Sequence, residues 1–248
     1  QAMQKAFRIA MSPPTGPTFV AFTTNALDDK TNVYPTETYN EEIVIKPDEK
    51  SINEAAKLLV KSQNIGILVG DRLVQTKTPF IPIKLAELLG AKVYSSNYSE
   101  MIFPNKHPNY INNLKLGFNS SDEFEEFDTV LAVGGLPRVS YMFSNPKMRI
   151  FNPESNLIHI DNDPAQVGTT EKTDIGILAD PSVALNKLTA KVEELLTGNQ
   201  LEYFSAKNLQ LNRIKANDGI DYLMIDLGLK KKYKIKNDWH LNEYGIST

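Results

Sequence analysis

The chain of 248 residues contains no cysteine, so it can build neither a disulfide framework nor a thiolate site. That composition fits a reducing compartment. Histidine is scarce, with three in all, and no set of His, Asp or Glu falls at the spacing of a metal site. Apolar runs are of strand length, far short of the roughly 20 residues that a membrane-spanning helix needs. A basic field is missing too: 27 Lys and Arg stand against 30 Asp and Glu, for a net charge of -3, and nothing would draw in nucleic-acid phosphate. The first residues lack the basic-then-apolar layout of a secretory signal. A soluble, cytoplasmic protein that binds neither nucleic acid nor membrane is expected.

What is present is concentrated between Asp128 and Gly168. An apolar run at 130–133 breaks into Gly134-Gly135, and a second at 157–160 ends in the acidic pair Asp161 and Asp163. Short buried strands that stop at a glycine-rich or polar edge gather ligand contacts at their carboxyl ends in a parallel sheet. The segment has the character of a ligand-facing rim, without the parts of a catalyst.

Four unequal pieces emerge along the chain. Met3, Ala6, Phe7 and Ala10 recur at helical spacing, and the proline-rich break at 13–17 leads into the apolar run 18–22, a helix-turn-strand. Residues 28–48 read as an extended linker, which places a domain boundary near residue 49. From 49 to 198 strand and helix alternate. Ser51 with Glu54 forms a capping box for a helix, and a strand follows at 65–69, ending at Gly70-Asp71. A helix at 80–89 stops at Gly90. Further strands are expected at 92–95, 129–133, 157–160 and 175–178, with helices at 121–127 and 182–196. This pattern argues for an α/β, doubly wound, Rossmann-like parallel sheet covered by helices on both faces. The tail 199–248 departs from it, with a helix expected around 221–229 and a strand near the end.

The order AFRIAMSPPTGPTFVAF, linker, IGILVGD, FPNKHPNY, DTVLAVGG and LIHIDNDPAQVG resembles the thiamine diphosphate-dependent 2-oxo acid decarboxylase and acetolactate synthase family. FPNKHPNY and the terminal LNEYGIST are most similar to its benzoylformate decarboxylase branch. The resemblance implies a division into 1–29, the end of a pyrimidine-binding domain; 30–48, a linker; 49–198, the whole central domain; 199–236, a linker; and 237–248, the start of a diphosphate-binding domain. The flanking pieces would be remnants of neighbouring domains. It also implies a parent enzyme that uses thiamine diphosphate and Mg2+ on a 2-oxo acid, by decarboxylation or carboligation, and that forms a homodimer or tetramer. The glutamate that activates the cofactor in this family, and its diphosphate and magnesium motif, do not lie in these residues, so the chain itself is expected to be inactive, without a catalytic or metal-binding set and without bound cofactor.

Six residues are singled out. Gly70 and Gly134 follow buried strands, where glycine admits either a phosphate or a plain turn, and the first turn lacks the full GxGxxG fingerprint. Asp161 stands where a ribose carboxylate often lies. The resemblance matches Asp161 and Asp180 to acidic positions of flavin-binding relatives, whereas the benzoylformate branch binds no FAD there; capping of the following turn is the other reading of Asp161 and Asp163. A stand-alone FAD- or ADP-binding module and a purely structural scaffold therefore remain open. Glu243 and Ser247 resemble a loop that meets thiamine diphosphate, with Tyr244, Gly245 and Ile246 interrupting the pattern. His107 shows no partner in the sequence, and His159, inside an apolar run, reads as a satisfied core residue. The basic run at 230–236 reads as a solvated face. Phe7, Ile9, Val20 and Phe22 are expected either to dock or to drive association.

Overall fold

The computed structural model describes residues 2–28, 30, 32, 43–76, 78, 80–96, 103–114, 124–136 and 150–226, with side-chain surroundings in the last helix described to residue 216. Two compact units separate between Ile45 and Lys46.

In the first unit, the helical spacing of Met3, Phe7 and Ala10 forms α1, Ala2–Met11, and a short helix α2 follows at Thr24–Asp28. Neither helix has a buried residue, and Phe7 is 63% and Phe19 93% exposed. The turn after α1 is closed by the Gly16 amide donating to Ala10 O and the Thr18 hydroxyl donating to Ala6 O. The strand expected at 18–22 does not form. A strand needs a ladder partner for its backbone groups, and no described residue of this unit provides one.

The second unit opens with α3, Glu49–Lys61, whose Ile52, Ala55, Ala56 and Leu59 make one buried stripe. Its N-cap is Asp48 rather than the expected Ser51–Glu54 box. The Asp48 carboxylate accepts from the Ser51 amide at 2.9 Å and from its hydroxyl at 3.0 Å. Those two hydrogen bonds, the amide's first, hold its pKa below the ordinary carboxylate value.

Six strands follow: β1 Ile65–Val69, β2 Lys92–Ser95, β3 Tyr110–Asn113, β4 Thr129–Val133, β5 Asn156–Asp161 and β6 Ile175–Leu178. They form one sheet in the order β3-β2-β1-β4-β5-β6, with every pairing parallel. All five residues of β1 and of β4 are buried, which is why both read as unbroken apolar runs. On one face Ile67, Val69, Leu131, Val133, Ile158 and Ile160 join the core residues of α3, of α5 (Pro82–Leu89) and of α6 (Pro181–Leu195). On the other, Leu68, Tyr94, Val130, Ala132 and Leu157 pack with Phe124, Phe127 and Phe151. Helices and loops on two sides of a parallel sheet make the doubly wound α/β architecture expected.

Three local differences stand out. β3 was not anticipated: it is an edge strand in which only Tyr110 is buried, so it lacks an apolar signature. The helix expected at 121–127 lies partly outside the described residues, and 124–127 form a turn closed by Phe127 N donating to Phe124 O. In the tail, a helix was expected only near 221–229, yet α7 runs from Gly198 to Asp226 after a four-residue α4, Arg72–Gln75, much earlier in the chain. The terminal strand and the basic run at 230–236 lie outside the described residues.

Polar side chains dock α7. Gln200 Nε2 donates to Val60 O at 2.7 Å in the last turn of α3, and Lys207 Nζ to Gln63 O just beyond that helix. Asn208 Nδ2 donates to Glu87 O at 2.5 Å, near the end of α5. The last carbonyls of a helix have no partner within it, and α7 supplies donors to both helices. Partial burial lowers the Lys207 pKa from its ordinary value.

Candidate functional site

Strand order fixes where a ligand site would be. The chain winds from β1 outward to β3, then returns to place β4 on the other side of β1, so the connections diverge above the carboxyl ends of β1 and β4. In open α/β sheets that divergence is the topological switch point, where ligands bind.

The structure brings Gly70 and Gly134 together there. Gly70 N donates to Val133 O at 2.9 Å, and Gly134 N donates to Ile160 O at 2.9 Å, extending the ladder past the strand ends. A Cβ on Gly70 would lie 2.5 Å from Gly134 O and 2.9 Å from Gly135 O. Gly134 and Gly135 have φ of 73° and 131°, conformations that L side chains rarely adopt. The two strand ends therefore touch through backbone.

Arg72 was not anticipated, and it dominates the rim. From the first turn of α4 its Nε lies 3.0 Å from Asp161 Oδ1, and its Nη2 donates to Asp163 Oδ2 at 2.9 Å. Asp161 is fully buried at the end of β5, while Asp163 lies in the loop beyond. Asp161 Oδ1 also accepts from the Asp163 amide at 2.8 Å, and Asp163 Oδ1 from the Ala165 amide at 2.9 Å. These are the turn-capping bonds that stood as the second reading of the acidic pair. No sequence signal joins Arg72 to carboxylates some ninety positions away; only the fold does so.

Asp180 sits apart from this cluster, at the N-terminus of α6. Its Oδ1 accepts from the Ser182 amide at 2.9 Å, the Val183 amide at 3.1 Å and the Ser182 hydroxyl at 2.6 Å, an N-cap worth about 1 kcal/mol. Glu243 and Ser247 lie outside the described residues.

Two histidine expectations change. His107 has a partner after all: its Nε2 is 3.3 Å from Glu87 Oε1 on α5, and its Nδ1 accepts from the Asn109 amide at 3.3 Å. The hydroxyl or second carboxylate that would extend this pair into a relay is absent among the described residues. His159 is buried but not satisfied. Its Nε2 stands 3.8 Å from Asp161 Oδ2, beyond hydrogen-bond range, and neither ring nitrogen has a partner. It lies on β5 between Ala132 of β4 and Gly176 of β6.

The chemistry of the rim is that of an internal clamp, with one cation held between two carboxylates. Asp161 Oδ2 is left without a hydrogen-bond partner, and among the described residues no nucleophile with an adjacent base stands beside the clamp. Among the described residues no group of three His, Asp or Glu could hold a metal ion, and no helix is long and apolar enough to cross a membrane.

Fold and rim define a doubly wound α/β domain in which no catalytic set is assembled among the described residues. The sequence profile described as "Thiamine pyrophosphate enzyme, central domain" matches residues 52–188, and the chain belongs to that family. It is 27% identical over 200 residues to a "Probable acetolactate synthase large subunit" of Methanocaldococcus jannaschii, covering 77% of this chain and 33% of that protein. It is likewise 27% identical over 154 residues to an acetolactate synthase of Mycobacterium bovis, covering 58% of the chain and 23% of the relative. The benzoylformate decarboxylase of Polynucleobacter necessarius shares the fold, with a TM-score of 0.63 at 22% identity over 77% of this chain and 36% of that one. The chain thus spans a third or less of the length of the two sequence relatives.

Proposed function

We propose that this chain is the central part of a thiamine diphosphate-dependent enzyme that acts on 2-oxo acids, by decarboxylation or by carboligation of the acetolactate synthase kind. The observation that carries this is the family match across 52–188, reinforced by acetolactate synthase relatives that align well beyond it. When bound, thiamine diphosphate supplies such enzymes with an electron sink for the carbanion left by a 2-oxo acid.

The described residues do not assemble a cradle for that cofactor or its magnesium. The rim carboxylates are held by Arg72 and by backbone amides, and no three-ligand set exists elsewhere among the described residues. Their role is to hold a rigid sheet between segments that bind the cofactor, and Glu243 with Ser247 would belong to one such segment. Cytoplasmic location and a homodimeric or tetrameric assembly complete the reading.

The test is the full translation product that contains these residues, supplied with thiamine diphosphate and Mg2+. It should convert pyruvate or benzoylformate and bind the cofactor in a calorimetric titration. A product that binds no thiamine diphosphate and converts neither acid would sink the reading. The 248-residue chain alone should turn over neither acid.

A further inference from the structure

Open α/β sheets hold ligands at the switch point, and this one holds a side chain there. Arg72 leaves the carboxyl end of β1, where its amide donates to Gly134 O at 3.0 Å. Its guanidinium then reaches Asp161 and Asp163 at the end of β5. It passes β4 on the way: a Cβ on Gly135 would stand 3.6 Å from Arg72 Nη1. One side chain thus spans the ends of three neighbouring strands, along the path a dinucleotide would take.

We infer that Arg72 is the resident occupant of this crevice and closes it to nucleotides. Three features act together. The cation is matched by two carboxylates, so Arg72 has no unpaired positive charge to offer a phosphate. A ligand that displaced the guanidinium would uncover a fully buried carboxylate, Asp161, and repel its own phosphates. Three backbone donors of the turn after β1 are already used: Arg72 N bonds Gly134 O, Leu73 N bonds Gly70 O at 3.2 Å, and Val74 N bonds Asp71 O at 3.0 Å. The glycines that could admit a phosphate instead let two strand ends meet.

The inference concerns this chain alone and does not rest on the 2-oxo acid reading, so it is tested without substrate. Thermal unfolding of the wild-type 248-residue chain is measured with ADP, FAD and NAD+ at millimolar concentration. The midpoint should stay within about 1 °C, because a ligand bound only by the folded state would raise it. Arg72→Ala should be destabilised and should regain about 2 °C or more with methylguanidinium, which can refill the vacated cation position; wild type should not respond. A wild-type rise with any nucleotide overturns the inference, as does a folded Arg72→Ala that responds to methylguanidinium no more than wild type. If Arg72→Ala does not fold, Arg72→Lys takes its place. It retains the cation and should fold without a nucleotide response, and a nucleotide-induced rise in it counts against closure by this side chain.

Discussion

Gly70 shows how one residue fixes the shape of the rim. Its missing side chain lets the end of β1 lie against the Gly134 and Gly135 carbonyls, and a Cβ there would have to displace backbone at 2.5 Å. Gly70→Ala is expected to lower stability by about 1–3 kcal/mol, a loss of roughly 2–12 °C in the unfolding midpoint. Gly198→Ala, where a Cβ would meet nothing within 4 Å, is the control and should be close to neutral. Equal effects from the two substitutions would contradict close approach as the reason for Gly70. The sequence showed that a glycine follows each of the runs that form β1 and β4, and the structure agrees. It could not show that the two glycines face each other, because a glycine that admits a ligand and one that admits a neighbouring backbone leave the same trace. Arg72 was illegible for a related reason: its partners, Asp161 and Asp163, are local to each other and remote from it. Asp180 was legible as an acidic position before Pro181 and Ser182, and its work as a cap follows from that local pattern.

Legibility among the elements follows burial. β1, β4 and β5 are covered on both faces, and their apolar runs announced them within a residue of the observed bounds. β3 and α7 were missed or shortened because neither is held mainly by an apolar stripe. Tyr110 is the only buried residue of β3, and α7 buries Phe204 and Leu211 while Gln200 and Asn208 reach carbonyls of α3 and α5 and Lys207 reaches Gln63 O just past α3. Asn109, just before β3, ties this edge together: its Nδ2 donates to Ala91 O at 2.8 Å, Ala86 O at 3.3 Å and Asn208 Oδ1 at 3.0 Å. Asn109 is buried, so Asn109→Ala leaves these acceptors without their donor and should cost about 1–3 kcal/mol. Hydrogen exchange should report the loss in α5, β2 and the first turns of α7 before it reaches β4. Uniform loss of protection across the sheet would show that Asn109 does not hold this edge in particular.

For the molecule as a whole, the doubly wound arrangement was legible as a class, since alternating buried strands and amphipathic helices admit few right-handed topologies. The surface of the first unit raises a different matter. Phe7, Ile9, Met11, Phe19 and Phe22 are exposed, an apolar load that an isolated chain carries poorly in water. Self-association through these residues is the expected outcome in light scattering, and the triple substitution Phe7→Ser, Ile9→Ser, Phe22→Ser should shift the chain toward monomer. A wild-type chain that is monomeric at tens of micromolar would remove that expectation.

The anchoring of α7 also has a consequence in time. Translation completes α3 and α5 more than a hundred residues before it delivers the side chains that close their ends: Lys207 follows Gln63 by 144 positions, and Asn208 follows Glu87 by 121. A nascent chain halted after β6 would own every strand of the sheet and still leave those helix ends to water. Closure of this core is therefore late: a segment outside the sheet adds Phe204 to it and polar donors to the helix ends after every strand is in place.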